Sequence, residues 1–441
     1  MPKPAPRKLT LLPLVWATYF IVSGGPFGLE DVVSKSGYAG AILILLVTPL
    51  VWSLPTALMV SELASAVPED GGYYVWVRRA MGRFWGFQEA WLSLAGSVFD
   101  MAIYPTLFVE YLGHFAPAAT AGQRGVWIGI ALIAGSALWN LLGANTVGGS
   151  SVVLGILLLL PFAVLAVAAP WHRVPGAGQA VPLRHVDLLG GILVAMWNYM
   201  GWDNASTIAG EVDRPQRTYP MAMAGAVLLV ALSYLLPVAA VAATGLDANR
   251  WSTGGWAVVA AAVLPGGAAA AVAVAITVAG MASALGTQNA LVMAFSRVPA
   301  AMAEDGFLPR ALARRTLKTG APWVAILCCS AAWALCLGLS FTKLVVLDVL
   351  LTSLSILLEF AALVALRIRE PDLPRPYRVP GGLAGAVALG FFPLLLLILT
   401  VVRNDAEPVG PLSALQFGAI VILSGVVSYF FGKRIRKHDR R

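Results

Sequence analysis

Carboxylates fall within or at the ends of long apolar runs of this chain, nine of which stand out: Glu30, Asp31, Glu62, Glu89, Asp100, Glu110, Asp203, Glu211 and Glu359. No Lys or Arg stands in the middle of those runs to pair with them. A carboxylate surrounded by hydrocarbon is costly, so such groups face a cavity, find partners or bind protons. An acidic interior without bases suits two tasks, holding a cationic ligand and carrying a proton. Burial disfavours the charged form of an acid and a neighbouring ammonium favours it, so proton and cation compete for one group. Histidine offers no alternative carrier: His114, His172 and His185 fall at outer loops or run ends, and His438 is in the tail.

The nine acids are not equivalent. Asp203 directly follows Gly201-Trp202, and Asp100 precedes Tyr104 by one helical turn on the same face. Both are candidates for contact with a ligand. Glu30 and Asp31 are neighbours, about 100° apart on a helix, so one of them faces the interior and the spacing does not say which. Asp203 and one of Glu30 or Asp31 are expected to pair with ligand amines, and Glu30, Asp31 and Asp203 are also the candidate proton carriers. Glu62, Glu89 and Glu211 lie near arginine-bearing run ends, where ion pairing competes with a role in transport. Glu110 and Glu359 read equally as packing or helix-end residues. Trp197, Tyr199 and Trp202 present ring faces on which an apolar or cationic ligand could stack.

The elements that carry these residues are two interrupted apolar helices. Residues 9–36 read as a membrane span cut by Ser23-Gly24-Gly25-Pro26-Phe27-Gly28, and residues 187–213 as another cut at Asn198-Tyr199-Met200-Gly201-Trp202-Asp203. Glycine costs a helix about 1 kcal/mol and proline about 3. Unwound backbone at membrane depth persists only where it lines a protein cavity. Two breaks some five spans apart point to a five-helix unit repeated in inverted orientation, with a site between the broken helices. At each break, carbonyls of one half-helix attract an ammonium and amides of the next attract a carboxylate. An amino acid satisfies both; a polyamine satisfies the first and needs acidic side chains for its other amines.

Composition agrees with a membrane protein, with 59% hydrophobic and 12% charged residues. Runs of spanning length (~20 residues) fall at 9–36, 39–66, 84–112, 124–143, 147–169, 187–213, 219–244, 265–295, 322–340, 344–366, 383–402 and 411–432. These predict an all-α fold of twelve spans with both termini on one side. The divisions are a tail at 1–8, a transporter core at 9–402 with repeats near 9–169 and 187–366, a twelfth helix at 411–432 and a basic tail at 433–441. The first run is too long for a signal peptide and lacks a small-residue cleavage site.

Basic residues gather on one side, at Lys3, Arg7 and Lys8, at Arg78, Arg79 and Arg83, at Arg214 and Arg217, and at Arg297, Arg310, Arg314, Arg315 and Lys318. Arg367, Arg369, Arg375, Arg378 and the tail continue the pattern, which places the termini in the cytoplasm. The net charge of +8 is then a topology signal beside anionic lipid, and no nucleic-acid partner is expected. Cys328, Cys329 and Cys336 share the ninth run and read as packing residues. No metal-ligand spacing, nucleotide-binding loop or nucleophile elbow occurs, so neither cofactor nor enzymatic activity is expected.

In these segments the chain resembles the amino acid–polyamine–organocation superfamily, with the plant polyamine uptake transporters and L-type amino acid transporters as nearest likeness. The resemblance rests on Ser23-Gly-Gly-Pro-Phe-Gly-Leu-Glu-Asp31, Pro68-Glu-Asp-Gly-Gly-Tyr-Tyr-Val-Trp-Val77, Trp85-Gly-Phe-Gln88 and Asp100-Met-Ala-Ile-Tyr-Pro105. It continues through Trp197-Asn-Tyr-Met-Gly-Trp-Asp203, Ala209-Gly-Glu-Val212 and Arg375-Pro-Tyr-Arg-Val-Pro380. It implies a LeuT-like arrangement of two inverted five-helix repeats plus two helices, with a central site. Ser23, Gly24 and Gly25 take the place of the substrate-binding turn. Trp197, Asn198, Tyr199, Trp202 and Asp203 form the second half of the site, with Trp197 as an aromatic gate.

The L-type transporters usually carry Gly-Ser-Gly where this chain has Ser-Gly-Gly-Pro, and the proline with Glu30-Asp31 is similar to the polyamine branch. The outer loop at 113–123 has no cysteine, so no disulfide-linked partner subunit is expected. The expectation is a cell-membrane secondary transporter of small organic cations, polyamines first, working by alternating access with proton coupling or exchange. A permease for neutral or cationic amino acids is the alternative, and a non-transporting nutrient sensor a remote one. Its partners are then a small-molecule substrate and membrane lipid.

Overall fold

The computed structural model describes residues 8–174, 186–337, 339, 341–404, 408–409 and 412–438, with backbone alone at 341–343, 399–404, 408–409, 414–415 and 431–438. Lys3, Arg7, Arg184, His185 and residues 439–441 of the basic tail lie outside the described residues. The described chain is helical apart from a two-stranded pairing of Pro408–Val409 with Leu412–Ser413. Six helical runs among the described residues are long and apolar enough to cross a membrane. They are Leu29–Ala66, Arg83–Gly113, Ala144–Trp171, Pro215–Ala243, Gly266–Glu304 and Leu344–Arg369. Shorter apolar helices cover Leu11–Val22, Trp323–Cys336, Gly382–Ile398 and Gln416–Phe430.

Packing follows the rule for helices in lipid. Leu157, Leu160, Val153 and Val167 stand on the outside, whereas Trp52, Trp76, Trp202, Trp256 and Trp333 are fully buried. Small residues let backbones approach: a methyl at Gly155 would collide with the Trp16 ring, and one at Gly286 with Phe20.

Helix Leu11–Val22 stops at Ser23, because Gly24 (φ 63°) and Gly25 (φ 102°) adopt a conformation that is cheap only for glycine. The chain resumes as a helix at Leu29 and kinks at Gly37 (φ 68°, ψ 174°), at the expected turn between the first two apolar runs. Pro49 withdraws an N–H, and the ladder widens to one π turn over Pro49–Ser53 before helix Leu54–Ala66.

The second interrupted stretch is less regular than the first. Helix Leu188–Asn198 ends at Tyr199, and after Gly201 only the 3₁₀ turns Asp203–Thr207 and Ala209–Glu211 follow. Side chains compete for the backbone here: Thr207 Oγ1 donates to Asn204 O at 2.8 Å, and Tyr219 OH donates to Ala205 O at 2.7 Å. The two interrupted stretches are tied to each other at both ends. Leu9 N donates to Glu211 O and Asp213 N to Leu9 O, each at 2.8 Å, and at the far end Asp187 N donates to Lys35 O at 2.8 Å.

One end of the bundle carries a dense set of ion pairs. Arg367 donates to Glu62 through Nε at 2.9 Å and Nη2 at 2.5 Å, and Val379 N donates to the same carboxylate at 2.7 Å. Arg375 Nε lies 3.3 Å from Glu62 Oε1. Arg297 Nε donates to Glu211 Oε1 at 2.9 Å, Arg315 reaches Asp70 at 3.3 Å, and Arg78 pairs with Asp305. Glu62 and Glu211 are thus paired, one of the two roles their position left open. Burial and the nearby Glu211 push the Asp70 carboxyl up, against the pull of Arg315 and Arg297.

Candidate substrate site

Where the two breaks meet, a narrow cavity opens between five elements. Its walls leave little more room than a water molecule needs. Val22 and Ser23 come from the first break, and Trp197, Asn198, Gly201 and Asn204 from the second. Asp100 and Tyr104 come from helix Arg83–Gly113, Phe295 from helix Gly266–Phe295, and Asp348 and Thr352 from helix Phe341–Arg369. Gly201 brings the breaks into contact: a methyl on it would lie 2.8 Å from the Ile21 carbonyl oxygen.

Both carboxylates are held. Tyr104 OH donates to Asp100 Oδ1 at 2.7 Å, and the Tyr104 ring lies roughly parallel to that of Trp197, centroids 6.5 Å apart. Thr352 Oγ1 donates to Asp348 Oδ1 at 2.9 Å. Each pair is an acid followed one turn later by a hydroxyl, so the helix itself fixes the carboxylate's orientation. Asp348 is the site residue that sequence reasoning missed. It stands in the run Val345-Val-Leu-Asp-Val-Leu-Leu351, and Thr352 at i+4 repeats the pattern noted for Asp100 and Tyr104. Asn204 was missed as well; its Oδ1 is buried without a hydrogen-bond partner.

The other expected residues lie around the cavity rather than on its wall. Glu30 is fully buried; its Oε2 accepts from Gly28 N at 2.6 Å and its Oε1 from Tyr111 OH at 3.3 Å. It therefore caps the helix that starts at Leu29. Asp31 turns the other way, accepting from Thr253 Oγ1 at 3.0 Å. Tyr199 OH donates to Leu45 O at 3.1 Å and Trp202 Nε1 to Tyr199 O at 2.8 Å, which brace the second break from behind. Asp203 is buried beside the cavity, with Oδ1 lacking a hydrogen-bond partner.

The amides of the first break are largely occupied from within. Ser23 N and Gly24 N both donate to Tyr19 O, at 2.8 and 3.2 Å, and Gly25 N donates to Ser23 Oγ at 3.0 Å. Gly28 N is taken by Glu30, and Pro26 has no N–H to give. Ser283 Oγ and Trp256 Nε1 donate to the carbonyls of Gly24 and Pro26, fixing the turn. What remains chemically available in the cavity is two acids, an aromatic pair and two amides. No base lines it.

Comparison with known proteins agrees with this geometry. The amino acid permease family model matches residues 15–426, nearly the whole chain. The chain belongs to the amino acid permease family. It is 40% identical over 431 residues to a probable polyamine transporter of Arabidopsis thaliana, covering 96% of this chain and 86% of the relative. To the polyamine transporter PUT1 of Oryza sativa it is 37% identical, covering 96% and 78%. To the serine/threonine exchanger SteT of Bacillus subtilis it is 28% identical, covering 74% and 75%. The permease is thus a multi-pass membrane protein and a transporter by family.

Proposed function

We propose that this permease moves polyamines and related organic cations across the cell membrane by alternating access. The observation that carries the reading is that Asp100 and Asp348 line one cavity that has no base among its described lining residues. Two anionic groups on facing helices match a substrate with two ammonium groups. The aromatic pair Tyr104 and Trp197 offers ring faces to the methylene chain and to a cation, and Trp197 closes over the substrate as the gate. The carboxylate of an amino acid would need free amides at the first break, and those of Ser23, Gly24, Gly25 and Gly28 are engaged by Tyr19 O, Ser23 Oγ and Glu30. The names of the two plant relatives point the same way.

The reading includes a twelve-span topology with two inverted five-helix repeats, near 9–169 and 187–366, and cytoplasmic termini beside the arginine-rich end. Ser23, Gly24 and Gly25 shape the first half of the site, with Asn198 completing the second. Asp31, Glu30 and Asp203 stand outside the cavity as accessory acids.

Thermal unfolding of purified protein across putrescine, spermidine, agmatine, arginine, leucine and alanine tests the substrate class. A ligand that binds only the folded state raises apparent stability by about 2.7 kcal/mol at 100 times its Kd. Stabilisation by the amines alone is the expected outcome. Stabilisation by the amino acids alone would overturn the cation reading in favour of an amino acid permease. A substrate-counterflow assay in vesicles separates a transporter from a sensor, since a sensor gives no accumulation.

A further inference from the structure

Below the cavity, towards the arginine-rich end, lies a second set of acids that the central site does not use. Glu89 and Glu359 are fully buried, and Asp203 nearly so. The three lie within electrostatic range of one another. Both carboxylate oxygens of Glu359, Oε2 of Glu89 and Oδ1 of Asp203 have no hydrogen-bond partner. Ser355 Oγ donates to Glu89 Oε1 at 2.7 Å, joining helix Phe341–Arg369 to helix Arg83–Gly113. A further polar neighbour is Tyr73, whose hydroxyl shares a hydrogen bond with Ser93 Oγ at 2.7 Å. No arginine or lysine is paired with any of the three acids among the described residues.

The spacing of these acids repeats that of the cavity. Glu89 precedes Asp100 by eleven residues on one helix, and Glu359 follows Asp348 by eleven on the other. Eleven residues are three turns, so each pair shares a helix face about 16 Å apart along the axis. The two helices lie in contact, with Gly96 set against Thr352 and Asp348. They therefore present two tiers of facing carboxylates, Asp100 with Asp348 above and Glu89 with Glu359 below.

Resting on the polyamine reading, we propose that the lower tier, Glu89 and Glu359 with Asp203, is a second cation station. It receives a substrate ammonium as it leaves the cavity for the arginine-rich face. Three carboxylates sealed together without a counter-ion cannot all stay charged, so protons neutralise them when the station is empty. The arriving ammonium displaces those protons, which leave towards the same face, and no bond is made or broken other than O–H.

The test uses the full-length protein, purified and also reconstituted in proteoliposomes, with spermidine as the probe. The variants are Glu359→Gln, Glu89→Gln and the conservative Glu359→Asp. Neutralising a buried acid that has no counter-ion should leave the melting temperature without ligand unchanged or raised, which a purely structural role would not. Stabilisation by spermidine should persist, because the upper tier is intact. Uphill uptake and downhill spermidine exchange should both fall, by about thirtyfold for the Gln variants, with Glu359→Asp recovering part of each.

Loss of uphill uptake with exchange intact would show that the acids hold protons only and would overturn the station. Undiminished exchange and uptake in both Gln variants would overturn it outright. Wild-type protein indifferent to every polyamine would instead defeat the underlying functional reading, and this inference with it.

Discussion

Asp348→Asn is expected to weaken spermidine binding by about 100-fold. Asparagine keeps the shape and can still accept from Thr352 Oγ1, so the helix and cavity should survive. What is lost is one of two negative charges facing the ligand. Stripping a buried ammonium of its counter-charge costs about 2–5 kcal/mol, and each 1.4 kcal/mol is tenfold in affinity. Asp100→Asn should behave alike, because Tyr104 OH at 2.7 Å can donate equally to an amide oxygen. Calorimetric titration of spermidine into each variant checks the figure. Unchanged affinity in Asp348→Asn would remove that carboxylate from the site and leave a single-charge recognition mode. A ligand with one amine should lose much less from the second substitution, since one remaining acid suffices.

The largest effect on stability is expected at Glu62→Gln. Glu62 is fully buried, accepts from Arg367 and Val379 N, and has Arg375 Nε 3.3 Å away. Neutralising it leaves two buried guanidiniums side by side without a counter-charge. Breaking a buried pair by removing one partner costs about 3–5 kcal/mol. The expected result is a sharp fall in the folded, monodisperse yield and in the melting temperature of detergent-solubilised protein. Combining Glu62→Met with Arg367→Met should recover part of the loss, because an apolar replacement of a pair is often neutral and only Arg375 is then left without this carboxylate. Equal damage from the double and single variants would show that this network stabilises through geometry rather than charge balance.

Much of the architecture was legible from residue types. Gly24, Gly25 and Gly201 sit where positive φ or close approach is needed, so both breaks could be read from glycine and proline alone. Membrane character was equally plain. Other features depended on the fold. A lone Asp in an apolar run gives no hint of what stands opposite, and Asp348 matters because helix packing sets it across from Asp100. Glu30 and Asp31 differ by about 100° around a helix. Only the turn at Gly28 reveals that Glu30 is spent on its own backbone and Asp31 on Thr253. Glu89 shared its arginine-bearing neighbourhood with Glu62, yet the arginines reach Glu62 and leave Glu89 to a serine. Choice among nearby acids is a matter of side-chain reach, which sequence distance does not encode.

The backbone ties between the two interrupted stretches also have a mechanical meaning. Leu9 clasps Glu211 and Asp213 at one end, and Lys35 clasps Asp187 at the other. Two rods pinned together at both ends cannot slide past one another; they tilt as a single truss. Under the proposed alternating access, the shear is then taken up where the truss meets the helices carrying Asp100 and Asp348. The two halves of each rod flex only at their glycine joints. Access is then governed by the angle of one composite strut, and the acids it passes belong to the frame that stands still.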